Sequence, residues 1–253
     1  MRALYFAKPL EYRLEVSGEV FMQGQALTGT LCVTNRGPAA LDQLSLELGL
    51  AYGVFKEIKE AGNRSLTILK HSQLAKGFSL EPGGERKEAW ELPLANAAPI
   101  ISKEGSPFIV YGADLQQLEA RGQIDLPVGL SSPVSAFIAT LENHYAFEAR
   151  ASKCSGTVLE TRFKPPGSYP LLDELTISMK IDDKAVTLVF NGKGKSIRGG
   201  AGGGLISQKK STQKTIPLEK FGFGRGLPNR GLYRELIDLM LPKIAVKREI
   251  IIK

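Results

Sequence analysis

Four leucines at every second position, residues 44, 46, 48 and 50, constrain the fold more than any other feature of this chain. Alternation of apolar and polar residues is the period of a β-strand with one buried face. Similar alternation recurs along the chain, with turn signals between the segments, at residues 27–33, 66–68, 78–80, 108–110, 124–128, 157–163, 175–181 and 186–190. A helical period appears only near the C terminus, where Leu232, Leu236, Leu239 and Met240 precede Pro242. The pattern therefore predicts an all-β chain that ends in a short helix.

Repeated short strands with frequent turns are typical of antiparallel β-sandwiches. The chain has 253 residues, enough for two such domains, and the segment between Pro127 and Pro133 divides it near its middle. We therefore predict two β-sandwich domains, residues 1–128 and 129–253, joined by a short hinge.

Several segments together resemble a known family. Residues 19–33 run as an apolar strand, a Gly-polar turn and a Gly-interrupted strand. Residues 78–85 and 90–93 form a strand, a Pro-Gly turn and a strand that ends in Leu-Pro, and Pro99-Ile100 follows. This order resembles the arrestin-like proteins, and among them the bacterial sporulation-control M group, whose Arg-Gly-Gly-rich connection is matched by residues 197–200. The arrestin-like retromer subunit is the second family that the chain resembles.

The resemblance implies a non-enzymatic adaptor that offers strand edges and loops to partner proteins. The chain has no match for the paired lysines with which visual arrestins sense phosphate, so recognition of phosphorylated receptors is not implied.

The positive charge of the chain is concentrated in one segment. Residues 192–230 carry nine basic residues and one acid, a net charge of +8, whereas the whole chain is +7. We predict a Gly-rich basic loop at 192–214, with binding residues Lys193, Lys195, Arg198, Lys209, Lys210 and Lys214. Three interpretations are open: a solvated loop, a contact with an anionic membrane or nucleic acid, or an ordered insertion that docks a partner protein.

Two aromatic residues in the same segment, Phe221 and Phe223, alternate with glycine near Arg225. This pattern looks like an aromatic-basic strip for nucleic acid, but it also fits one face of a strand, which is the preferred interpretation. Nucleic acid is accordingly the less favoured partner.

The sequence contains fragments of motifs for catalysis or cofactor binding, but none of these motifs is complete. Gly194-Lys195-Ser196 follows a strand, as in a phosphate-binding loop, but Val189 stands where that motif needs glycine. The two histidines, His71 and His144, have no ligand residue at metal-binding spacing. The carboxylate pair at Asp182-Asp183 fits a turn better than an acid-base pair. We predict no catalytic residue, no metal and no cofactor.

The chain ends in three consecutive isoleucines within residues 247–253, which we expect to dock on the sheet or on another subunit. Strand edges and this tail are therefore two routes to a homo-oligomer. The first residues show no secretory signal, and Cys32 and Cys154 form no disulfide framework, so we expect buried or half-buried thiols and a cytoplasmic protein. The combined hypothesis is a cytoplasmic adaptor that binds proteins or an anionic membrane surface; the alternative is a nucleic-acid-associated module.

Overall fold

The computed structural model describes residues 1–61, 65–117, 121–155, 158–197, 205–223 and 227–245. The chain divides into two compact units, Met1–Gly129 and Leu130–Lys253, called unit 1 and unit 2 below.

The described residues of unit 1 form ten strands and one short helix. In chain order these are β1 (Arg2–Ala7), β2 (Leu10–Val16), β3 (Phe21–Met22), β4 (Ala26–Asn35), β5 (Leu41–Val54), α1 (Phe55–Ala61), β6 (Thr67–Leu80), β7 (Glu85–Pro93), β8 (Gly105–Gly112), β9 (Arg121–Asp125) and β10 (Val128–Gly129). Two four-stranded antiparallel sheets, in the orders β1-β2-β4-β7 and β6-β5-β8-β9, form a sandwich, and β10 pairs with β3 in parallel.

The core of unit 1 follows from the alternation in the sequence. Leu14 and Leu31 of one sheet are buried, as are Leu46 and Leu48 on β5 in the other. The predicted leucine strand is therefore confirmed. The turn after β4 is fixed by Asn35, whose amide Nδ2 donates to the carbonyl oxygens of two residues at 2.8 and 3.0 Å while its Oδ1 accepts from a backbone N–H at 2.9 Å.

In the part of unit 2 that the structure describes, the strands form one five-stranded antiparallel sheet, accompanied by helices. In chain order its elements are α2 (Ser132–Tyr145), β11 (Glu148–Ser155), β12 (Val158–Lys164), β13 (Leu172–Ile181), β14 (Ala185–Ile197), β15 (Leu205–Pro217), α3 (Leu218–Phe221) and α4 (Arg230–Ile244). The strands pair in chain order, which leaves β11 and β15 at the two edges.

The helices of unit 2 cover one face of this sheet. Phe137 of α2 is fully buried, with its ring centroid 6.4 Å from that of Phe190 on β14, 5.7 Å from Phe221 and 5.6 Å from Tyr233 of α4. The prediction of a mostly antiparallel β fold with a short C-terminal helix is confirmed. Unit 2 differs from the expected sandwich, because among its described residues helices stand where a second sheet was expected.

Two details of the sequence interpretation are wrong. Helix α2 begins at Ser132, inside the segment interpreted as a hinge, because Pro133 lies in its first turn, where proline costs no hydrogen bond. Helix α4 buries only part of the predicted stripe: Leu236 and Met240 are buried, but Leu239 is exposed, and Pro242 lies within the helix. The buried residues stand at positions i, i+3, i+4, i+7, i+8 and i+11 of one helix face, namely Tyr233, Leu236, Ile237, Met240, Leu241 and Ile244.

The cysteines are placed as expected, since Cys32 is buried and Cys154 is half-buried. Within the described ranges, no helix combines the length and the apolar character needed to cross a bilayer. The C-terminal tail 247–253 lies outside the described residues.

Candidate binding surface on the basic hairpin

The basic segment forms the last two strands of the unit 2 sheet, which we call the basic hairpin (β14 and β15). Thirteen residue pairs join the two strands, from Ala185 with Pro217 to Ile197 with Leu205. The prediction of a Gly-rich basic loop over residues 192–214 is therefore wrong for residues 192–197 and 205–214. Residues 198–204, which include the predicted binding residue Arg198, lie outside the described residues.

Two glycines of this segment, Gly192 and Gly194, are needed for packing. A Cβ atom on Gly192 would lie 3.3 Å from Cβ of Ile244 and 3.1 Å from a methyl group of Leu172. A Cβ atom on Gly194 would collide with the backbone of Leu171, whose carbonyl oxygen accepts the N–H of Lys195 at 2.7 Å. Glycine here permits close approach within a sheet.

The start of the hairpin is set by Asp182. Its Oδ1 accepts the backbone N–H groups of Lys184 and Ala185 at 2.9 and 2.8 Å. These hydrogen bonds lower the pKa of the Asp182 carboxyl. The interpretation of this acid pair as a turn is confirmed, since Asp182 acts as a turn-forming residue.

Five predicted binding residues, Lys193, Lys195, Lys209, Lys210 and Lys214, are all exposed on the basic hairpin. They divide between its two faces, because residues directly opposite in a ladder share a face. Lys193 and Lys209 are ladder partners and lie on the face away from the helices, together with Lys195. Lys210 and Lys214 are the partners of the buried Gly192 and Leu188, so they lie on the helix-covered face but beyond its cover.

The pairing of Lys193 with Lys209 places two positive charges directly opposite each other. Like charges at such positions destabilise a sheet. Glu174 is the ladder partner of Lys193 on the other side, but among the described residues no ion pair within 4.0 Å involves any of the five lysines.

Further polar residues extend this face across the sheet. Arg162, Thr176, Asn191 and Ser211 stand in one row across β12 to β15. A groove of about 490 Å³ lies along this row and also contacts Glu160, Glu174, Lys193 and Lys209. Glu160 is within 3.4 Å of Lys153 and 3.8 Å of Arg162. The sequence interpretation missed Arg162, which only the strand register brings beside the lysines.

The other sequence motifs lie at structural positions of the fold. Lys195 and Ser196 lie within β14, not in a loop before a helix. Phe221 and Phe223 are both buried with stacked rings 6.1 Å apart, and α3 ends at Phe221, so the prediction that they form one face of a strand is wrong. His71 contacts Glu47 at 3.1 Å. In the part of the chain that the structure describes, no group of three or more His, Cys, Asp or Glu side chains is arranged to hold a metal ion.

No protein-family model and no curated protein sequence matches the chain. Among solved structures, the chain is similar to the sporulation control protein Spo0M from Bacillus subtilis, with a TM-score of 0.65. The fold is that of Spo0M. The likeness covers 92% of this chain and 99% of Spo0M at 15% sequence identity. The expected resemblance to the sporulation-control M group is confirmed for the fold; the wider arrestin likeness stays a prediction.

Two further likenesses cover about half of the chain. They are to the Pseudomonas fluorescens alkylpurine DNA glycosylase AlkC, with a TM-score of 0.33, 15% identity and 49% of this chain against 31% of that one, and to a Listeria innocua beta-glucosidase, with a TM-score of 0.29, 13% identity and 49% against 17%. At these scores neither likeness bears on function.

Proposed function

We propose that this protein is a non-enzymatic adaptor or regulatory scaffold, which binds an acidic partner protein through the basic hairpin of unit 2. The observation that carries the proposal is the ladder pair of Lys193 and Lys209. Two exposed lysines at directly opposite positions of the ladder cost stability in the free protein, and an anionic partner would relieve that repulsion.

The fold and the charge distribution support the same role. The structural neighbour is described as a sporulation control protein, which is in keeping with a regulatory role for this chain. The rest of the chain is nearly neutral, so the field of the protein is concentrated at this hairpin and would steer acidic partners towards it.

Two other anionic targets fit part of the surface. An anionic membrane would attract the lysines on one face of the hairpin. A two-stranded basic ribbon also matches the dimensions of the DNA major groove, which is the specific observation behind the nucleic-acid alternative. Self-association through strand edges or through the tail stays a third prediction.

The test compares two variants with equal loss of charge. The hairpin variant replaces the five exposed lysines by serine: Lys193→Ser, Lys195→Ser, Lys209→Ser, Lys210→Ser and Lys214→Ser. The matched control does the same at five exposed lysines of unit 1: Lys56→Ser, Lys59→Ser, Lys70→Ser, Lys76→Ser and Lys87→Ser. Binding to polyglutamate, to vesicles of one third phosphatidylserine and to a 20-base-pair duplex is measured by fluorescence anisotropy or sedimentation over a salt series.

We expect the parent protein and the unit 1 control to bind polyglutamate more tightly than vesicles or duplex, with affinity that falls as salt rises. The hairpin variant should lose this binding. Equal binding by the two variants would show that the functional surface lies elsewhere. Preference for the duplex, with a steep salt dependence, would favour the nucleic-acid alternative.

A further inference from the structure

Among the described residues, strand β15 is an edge strand of the unit 2 sheet. It pairs with β14 on one side, and the sheet order ends with it. In the described part of the chain, no backbone hydrogen bond outside that ladder involves residues 207–215. An edge of this kind presents unpaired N–H and C=O groups to which another strand can add.

The lysines at this edge point to both faces of the sheet. Lys209 lies on the face away from the helices, whereas Lys210 and Lys214 lie on the helix-covered face. A flat anionic surface would contact only one of these faces. An extended segment added beside β15 alternates its side chains between both faces, so it would meet all three lysines.

The carboxylates of the groove further restrict the occupant. Glu160 and Glu174 lie on β12 and β13 beside the lysine face, where they would repel a polyanion that covered the groove. A strand added outside β15 would stand three strand spacings from β13, roughly 14 Å. That separation exceeds the screening length of about 8 Å at physiological salt, so the two carboxylates would barely oppose it.

We propose that an acidic, extended peptide segment of the partner protein adds to the edge of β15 as a sixth strand, with its carboxylates paired to Lys209, Lys210 and Lys214. This inference rests on the proposed function and specifies how the basic hairpin binds. The lysines would then have two roles. They would discourage the edges of two copies from pairing, and they would select an acidic strand.

The probe is a fluorescent ten-residue peptide of alternating Glu-Glu and Thr-Thr pairs, capped at both ends. A second peptide has the same sequence with four consecutive central amides N-methylated, which keeps its charge but removes the hydrogen bonds of a strand. The full-length protein should bind the methylated peptide at least about tenfold more weakly, because strand addition depends on main-chain hydrogen bonds. Hydrogen exchange should slow at residues 207–215 when the unmodified peptide binds.

Charge at the edge is tested with matched variants. The edge variant Lys209→Ser, Lys210→Ser, Lys214→Ser should bind the unmodified peptide about tenfold more weakly, through loss of three cross-strand charge pairs. The control Lys56→Ser, Lys59→Ser, Lys87→Ser should bind it as the parent does.

The outcomes separate this inference from the proposed function. Equal affinity for the two peptides, with loss of both in the edge variant, overturns strand addition but leaves an electrostatic surface for acidic partners. Unchanged exchange at residues 207–215 in the bound state also overturns strand addition. Failure of the parent to bind either peptide, with self-association of the edge variant, overturns both, since the lysines would then serve only to prevent edge pairing. Tighter binding to the vesicles or to the duplex overturns the peptide assignment.

Discussion

At the scale of single residues, the clearest sign of function is the repulsive cross-strand pair of Lys193 and Lys209, which lowers the stability of the basic hairpin. Lys209→Glu would place a carboxylate opposite Lys193 and turn a repulsive cross-strand pair into an attractive one. We expect the free energy of unfolding to rise by about 0.5 kcal/mol in urea titrations at low salt, while binding to acidic peptides falls.

The control for this substitution is Lys180→Glu. Lys180 is exposed on β13, and its ladder partners, Val158 and Thr187, are uncharged. The stability gain should be absent there. Equal gains at both positions would mean that a general reduction of net charge, and not the ladder pair, is responsible.

Gly29 of β4 is a position where the backbone must approach its neighbours closely. It is the ladder partner of both Val16 and Trp90, and a Cβ atom would collide with the carbonyl oxygen of Glu15 and lie 2.6 Å from the indole ring. Gly29→Ala should therefore destabilise the protein by about 1 to 3 kcal/mol, as overpacking does. Gly167→Ala is the control, because a Cβ atom there meets nothing within 4 Å. Chemical denaturation followed by far-ultraviolet circular dichroism measures both, because the single tryptophan, Trp90, lies in unit 1 and would not report on Gly167 in unit 2.

Burial of the Tyr233 hydroxyl should make the free energy of unfolding fall with pH in the alkaline range. Its hydroxyl donates to the carbonyl oxygen of Phe221 at 2.6 Å, and burial raises the pKa of Tyr233 to about 12. The unfolded chain releases this proton near pH 10, so the contribution is complete below pH 10 and is lost as the pH rises towards 12. Tyr233→Phe should lower stability at neutral pH but flatten its decline between pH 10 and 12. A decline as steep as the parent's would assign it to the other buried tyrosines, Tyr12 and Tyr111.

At the scale of elements, the sequence predicted those strands whose side chains alternate. The strand at residues 44–50 and the strand from Leu175 to Ile181 were predicted correctly because one face of each is buried. The basic hairpin was predicted as a strand only at residues 186–190, since the glycines that follow, which permit close packing, are indistinguishable in sequence from glycines that make a loop.

The sequence of helix α2 does contain a helical pattern of apolar residues, which the sequence interpretation missed. Val134, Phe137, Ile138 and Leu141 follow the helical period, but Pro133 suggested a hinge. The binding surface was predicted only in part. The lysines stand out by charge, whereas Arg162 joins them through a register that long-range pairing determines.

The aromatic cluster around Phe137 ties the helices of unit 2 to the sheet that carries the hairpin. Phe137→Ala would leave a cavity among Phe190, Phe221 and Tyr233, and should cost about 3 to 5 kcal/mol of unfolding free energy. Ser135→Ala, at an exposed position of the same helix, should change it by less than about 0.5 kcal/mol. A small effect of Phe137→Ala would show that α2 does not stabilise the sheet.

At the scale of the whole molecule, the two units have separate hydrophobic cores. Leu14, Leu31 and Leu48 belong to unit 1, whereas Phe137 and Phe190 belong to unit 2. Strand β10 ends unit 1 at Gly129, and α2 begins at Ser132, after two intervening residues. Each core is formed by one contiguous stretch of sequence, and only a short segment joins the two stretches. Each core can therefore form from its own sequence.

We therefore predict that the full-length protein unfolds in two calorimetric transitions, one for each unit. Gly29→Ala and Phe137→Ala label the two cores, so each should lower the temperature of one transition and leave the other unchanged, because each substitution disturbs the packing of its own unit alone. The double variant should show both shifts, equal to those of the single variants. A single transition that both substitutions lower would instead mean that the two cores unfold as one cooperative unit, and ligands that bind the basic hairpin would then also stabilise unit 1.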